Sequence, residues 1–165
     1  RGNVYVGGTA VTGVAPGTAI GTTAAFAIHN PLGSKWGLSI LRATMGYVSG
    51  TMGAGVVTWN ANVNPQLAIP TGTAIIGYNA ALGARTTPVG LPLTTATIAA
   101  PLVLRPFASI GASLASTVVQ PWQIVEDVDG EFFVLPGTTL SLHGTTAAGA
   151  SPLVVFGITW EEIQL

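Results

Sequence analysis

Hydrophobic and polar residues alternate one for one near the end of the chain. Over residues 153–161, Val154, Phe156, Ile158 and Trp160 fall on one face, and Val155, Gly157, Thr159 and Glu161 on the other. A period of two is the mark of a half-buried strand. Just upstream, Leu140 and Leu142 alternate with Thr139, Ser141 and His143. The pair Pro136-Gly137 launches that strand, and residues 144–151 read as the loop between the two. Before them, residues 122–128 and 131–135 flank Asp129-Gly130. An Asp-Gly pair between apolar runs predicts a β-hairpin, because both central residues of a type I′ turn need positive φ.

The front half reads in the same way. Residues 24–29 form a strand with Phe26 and Ile28 on one side. Residues 36–48 form a longer one, in which Leu41, Ala43, Met45 and Tyr47 share a face while Leu38 and Ile40 lie opposite, so this strand looks apolar on both sides. Residues 55–60 and 73–78 add two more. The middle, residues 79–116, is dominated by Ala, Thr, Gly and Pro; it predicts long loops, one strand near residues 102–105 and one helical turn within 107–117. Twenty-two glycines and eleven prolines leave no run long enough for an amphipathic helix. The sum is an all-β chain of about eight to ten antiparallel strands. Short strands without intervening helices exclude a parallel α/β sheet, and the absence of a repeat excludes a propeller or solenoid. A single jelly roll (β-sandwich) over residues 1–165, with an extended N-terminal arm over residues 1–22, fits best among sandwich, jelly roll and barrel.

Composition changes the picture. Only 7% of residues are charged, against about 25% in soluble domains, while 48% are hydrophobic and mean hydropathy is +0.59. With a net charge of −1, repulsion between copies is weak, so much of the surface is expected to be covered by other copies or by partners. The same figures exclude disorder. The uncharged stretch 132–160 is too often interrupted for a spanning helix, and no polar lumen face marks a membrane barrel, so no membrane partner is expected. There is no cysteine, hence no disulfide or thiolate metal site. The chain opens on Arg1 without an initiator Met, as expected of a processed or incomplete chain.

Candidate chemistry is sparse. Gly33-Ser34-Lys35 resembles the end of a phosphate loop, but the upstream glycine is missing and a strand follows where a helix is required, which leaves a turn. The acidic run Glu126-Asp127-Val128-Asp129-Gly130-Glu131 could suggest Ca²⁺, but residues 132–135 supply no further ligand, so a solvated hairpin tip is the better reading; a cation shared between subunits stays open. His29 and His143 lack a third ligand for zinc and face away from apolar neighbours, as surface or interface histidines would. Paired carboxylates could come from the acidic run or from Glu161-Glu162, and no nucleophile stands beside a base. Arg1, Lys35, Arg42, Arg85 and Arg105 are scattered, which argues against nucleic acid. The expectation is a non-enzymatic protein with no catalytic residues, no metal and no cofactor. Trp59, Trp122, Phe132, Phe133 and Trp160 are the candidate assembly contacts, since aromatics are enriched at interfaces; core packing competes for each of them. A receptor- or glycan-binding jelly-roll module, an alternative reading, would use the loops near Asn60-Ala61-Asn62 and residues 145–151.

Two segments carry a resemblance. AFAIHNPLGSKWGLSILRATMGYVSGTMGAG and EDVDGEFFVLPGTTLSLHGTTAAGASPLVVFGITWEEI resemble the jelly-roll structural proteins of tailed bacteriophage virions. The likeness lies in a strand, an Asn-Pro-x-Gly-Ser turn and a long strand, then Pro-Gly-x-x-Leu-Ser-Leu and a last strand ending in Trp-Glu-Glu. It covers the two ends, about half the chain, and residues 79–116 give no support. It implies a virion surface protein on the capsid exterior, a decoration (cement) protein or a fibre head. Such a protein is a homo-oligomer, with a trimer favoured, and bridges the major capsid protein. No functional residues carry over, because assembly surfaces define that class. A self-polymerising extracellular filament or sheet protein fits the composition almost as well.

Overall fold

The computed structural model describes residues 2–84, 86–111, 123–147 and 150–165. In chain order its strands are β1 (Val4–Gly8), β2 (Thr23–His29), β3 (Trp36–Ser49), β4 (Gly55–Asn62), β5 (Thr71–Ala74), β6 (Tyr78–Asn79), β7 (Leu91–Thr97), β8 (Leu102–Ile110), β9 (Gln123–Asp127), β10 (Phe133–Val134), β11 (Thr139–Gly144) and β12 (Leu153–Gln164). They form two antiparallel sheets in a sandwich-like arrangement. Sheet A runs β10-β3-β12-β1-β6, with β9 also on β3; sheet B runs β5-β7-β2-β11-β4-β8.

The expectation of an all-β antiparallel chain holds. Two strands lie where the sequence predicts an arm or loops. β1 lies inside the stretch expected as an N-terminal arm, yet it pairs with both β12 and β6, and Val14 bridges to Val154. β7 contains Pro92, which demotes a run when read from sequence. It is nevertheless an inner strand, with Pro92 opposite Ile28 and its carbonyl accepting from Ile75 N. The helical turn expected within 107–117 is contradicted at its start, because residues 107–110 continue β8 along β4; residues 112–117 lie outside the described ones.

The core forms where the inner faces meet. Phe26, Trp59 and Leu142 from sheet B pack with Ile40, Met45, Phe156 and Trp160 from sheet A. The rings of Phe26 and Phe156 face each other across the sheets at 6.3 Å. On β12 the alternation holds throughout: Val154, Phe156, Ile158 and Trp160 are buried, and the residues between them are partly exposed.

β3 corrects its own reading. Strict alternation puts Leu38 and Ile40 opposite Ala43 and Met45, yet all four are buried in one core. The cause is a β-bulge: Trp160 pairs with Ile40 and Thr159 with Arg42, so Leu41 is an extra residue that reverses the facing.

The Asp129-Gly130 hairpin is also corrected. Both residues have positive φ, 50° and 83°, and Glu131 N closes the turn on Val128 O at 3.0 Å. The arms, however, do not pair with each other. β9 pairs with Arg42–Gly46 and β10 with Leu38–Ser39, so the chain continues along β3 in one direction. The turn sits over the bulge, where the Leu41 carbonyl accepts from Val128 N and Asp129 N at 2.8 and 3.0 Å. A longer partner strand outcompeted local pairing.

Candidate functional site

The residues that could carry chemistry are dispersed. At Gly33-Ser34-Lys35 the chain makes a turn between β2 and β3. Asn30 is fully buried and donates from Nδ2 to Trp36 O (2.7 Å) and Val134 O (2.9 Å), while Ser34 Oγ donates to Asn30 Oδ1 (2.7 Å). A strand follows, so no helix N-terminus faces an anion.

The acidic run is no freely solvated tip. Arg105 of β8 reaches across to Glu126 and to Glu131, the latter at 2.8 Å. Trp59 Nε1 donates to Glu126 Oε2 at 2.9 Å, and Arg42 pairs with Asp127 at 2.5 Å. The run therefore ties the edge of sheet A to the edge of sheet B. The Arg105–Glu126 pair is mostly buried and hydrogen-bonded, so removing one partner is costly; the exposed Arg42–Asp127 pair contributes little. Among the described residues no group of three His, Asp or Glu gathers to hold a metal ion, and no helix is long and apolar enough to cross a membrane. Of the five basic residues, Arg1 and Arg85 lie outside the described ones, while Arg42 and Arg105 are engaged by carboxylates.

Glu161 and Glu162 point to opposite faces of β12 and make no pair. Glu162 is buried, and its Oε1 accepts from Val89 N (2.7 Å), Gly90 N (2.8 Å) and Trp160 Nε1 (3.2 Å). That is a structural clamp.

The histidines are not on a surface. Both have no exposed area. They do face away from the sandwich core, as alternation indicated, but distant segments of the same chain cover that outer face of sheet B. His29 Nδ1 bonds to Thr139 Oγ1 and His143 Nε2 to Ser141 Oγ, each at 2.9 Å. Burial lowers both imidazoles, His143 to about 4, only partly offset by the nearby backbone of Thr138 and Gly21 respectively. In the stretches expected to hold a ligand, Asn60, Asn62 and Thr146 are buried, while Ala150 and Ser151 are exposed.

The candidate contacts separate clearly. Trp59 and Trp160 are 1% and 0% exposed, so they are core residues with no surface to offer a partner. Phe132 is partly buried, its ring 5.4 Å from Trp59 and under the Arg105 guanidinium at 4.9 Å. Phe133 is exposed and lies over Gly37, where a Cβ would come within 2.2 Å of its ring. Trp122 lies outside the described residues.

What the fold does gather is apolar surface. β8 is an outer strand of sheet B, and such an edge carries unpaired backbone groups. Leu102, Val103 and Leu104 on it are 55%, 55% and 42% exposed. Natural edges are commonly blunted by charge, but Arg105 turns to the acidic run instead. Beside this edge a groove of about 270 Å³ opens between the sheets, with Val63, Leu104, Phe133 and Leu135 in its lining, all four exposed, and the Arg105-paired Glu131 beside them. Sequence reasoning found only Phe133 of these. The signal for Leu104 was the run Leu102-Val103-Leu104 followed by Pro106, which suits an edge strand.

No protein-family model, curated protein or solved structure matches this chain.

Proposed function

We propose that the chain is a non-enzymatic structural protein of a virion shell, a jelly-roll decoration (cement) protein on the capsid exterior. In this role it self-associates, with a trimer favoured, and bridges the major capsid protein.

The jelly-roll reading is supported by how the strands nest. With β9 and β10 counted as one interrupted strand, and β5 to β7 as an excursion, eight strands remain. The first pairs with the last (β1·β12), the second with the seventh (β2·β11), the third with the sixth (β3·β9/β10) and the fourth with the fifth (β4·β8). Two Greek keys wound together have that nesting.

The observation that carries the role is the exposed apolar edge and groove on a nearly charge-free sandwich. Burying a Leu or Phe side chain contributes roughly 1.5–3 kcal/mol, so a few such residues and one unpaired edge suffice to drive association. A second copy is the fitting occupant, since its surface is equally poor in charge and brings no unpaired ion into the groove.

Light scattering of the purified chain, with negative-stain images of the same sample, tests this. A closed oligomer is expected, and Leu104→Asp should shift it to monomer while leaving the circular dichroism of the sheets unchanged. Open fibres would favour the filament reading, for which the two outer strands of sheet B, β5 and β8, speak. A monomer at high concentration would overturn both.

A further inference from the structure

Two connections cross the outer face of sheet B. The first, residues 98–101, joins β7 to β8, which lie on opposite sides of β2, β11 and β4. Ile98 packs against Ala27 and Leu93, and Ala99 O accepts from Asn62 Nδ2 at 2.5 Å, so this strap runs over the middle of the sheet. The second, ahead of β2, is tied to the first by Ile98 N donating to Thr22 O (2.7 Å) and to β11's end by Ala147 N donating to Gly17 O (2.9 Å). Ala100 holds φ at +42°, a conformation that disfavours side chains.

Beneath the straps lies a closed polar layer: His29, Thr139, Asn62, Ser141, Asn60 and His143 are all at most 3% exposed. Each imidazole has one nitrogen bonded to a hydroxyl. The other nitrogens, His29 Nε2 and His143 Nδ1, have no hydrogen-bond partner among the described residues. The surrounding elements β2, β4, β7 and β11, and the connections 9–22, 98–101 and 145–147, contain no Asp, Glu, Lys or Arg. Among the described residues, the two histidines are the only groups of this layer that can acquire a charge. An imidazolium needs two acceptors and, when buried, a counter-charge; here it finds one hydroxyl and the nearby backbone of Thr138 (for His29) or Gly21 (for His143), which offsets burial only in part, and no carboxylate.

We infer that the two straps form an acid-released latch: proton uptake by His29 and His143 lifts them and exposes the outer face of sheet B. The core between the sheets contains neither histidine and stays closed. Both imidazoles are held below their ordinary value of 6.5, so the open form binds more protons than the closed one. The latch is therefore fully closed above 6.5 and loosens as pH falls toward the folded-state value of about 4 for His143.

Hydrogen exchange by mass spectrometry on the full chain, at about neutral pH and at about pH 4.5 with intrinsic rates corrected, reads this directly. The expected result is an increase of about tenfold or more in exchange across 98–101 and 139–144, with β3 and β12 still protected. The variant His29→Gln/His143→Gln, which cannot charge, should lose that acid response. If it does not fold, the imidazole resonances of the native chain decide: both should ionise together with the loss of protection. Protection independent of pH, opening of all strands at once, or imidazoles that titrate near 6.5 without any opening would each overturn the latch.

Discussion

Glu162 shows how far a single residue can be read from alternation. Counting by two from Val154 puts it on the core face of β12, beside Trp160, while its charge argues for solvent. Pattern prevails because three donors, two backbone amides and an indole, converge on one carboxylate oxygen. The carboxylate is in effect the acceptor that lets the segment around Gly90 pack onto the core. Glu162→Leu keeps the bulk and removes that acceptor, leaving buried N–H groups unmatched; a loss of roughly 3 kcal/mol is expected in urea unfolding. Glu162→Gln, which still offers an oxygen, should lose about 1 kcal/mol. Equal losses for the two would mean that the donors find other partners. The histidines mark the limit of such reading. Alternation gave their face correctly, but their cover comes from segments tens of residues away, which no local pattern reports.

Elements were legible where one strand face meets one core, and misread where an extra residue intervenes. In β3 the pattern changes phase at Leu41, and from sequence a phase change is indistinguishable from a strand buried on both sides. The bulge makes a discriminating prediction. Deleting Leu41 leaves Ile40, Ala43 and Met45 in regular alternation toward the core, with Arg42 still outward. The variant should fold, with a loss of about 2 kcal/mol from the two amides, Val128 and Asp129, that bond to the Leu41 carbonyl. Deleting Ala43 instead gives regular alternation only with Arg42 in the core position, and that variant should not yield soluble folded protein. Thermal unfolding of both tests the assignment; two equally damaged variants would refute it. The Asp129-Gly130 pair teaches the same lesson. Its residue conformations followed from composition, whereas its role as a splice over a bulge depended on β3 being long enough to receive both arms.

At the scale of the molecule, low charge was plain in the sequence, but the location of the unsatisfied surface was not, because it depends on which strands become edges. Two of the three described cations are engaged with the acidic run, which leaves Lys35 as the one cation outside an ion pair among the described residues. The association proposed for the β8 edge and its groove must then rest on apolar burial and backbone pairing. Its response to solvent follows. Sodium chloride shortens the range of charge interactions, from about 30 Å at 0.01 M to about 3 Å at 1 M, and should hardly change the oligomer's dissociation constant. Sulfate, which is excluded from protein surface, should tighten it, and cooling should loosen it as apolar burial weakens. Sedimentation equilibrium across these conditions separates the cases. A dissociation constant that rises steeply with sodium chloride would show that ion pairs hold the copies together, and would move the interface away from β8 toward the exposed Arg42–Asp127 face of sheet A.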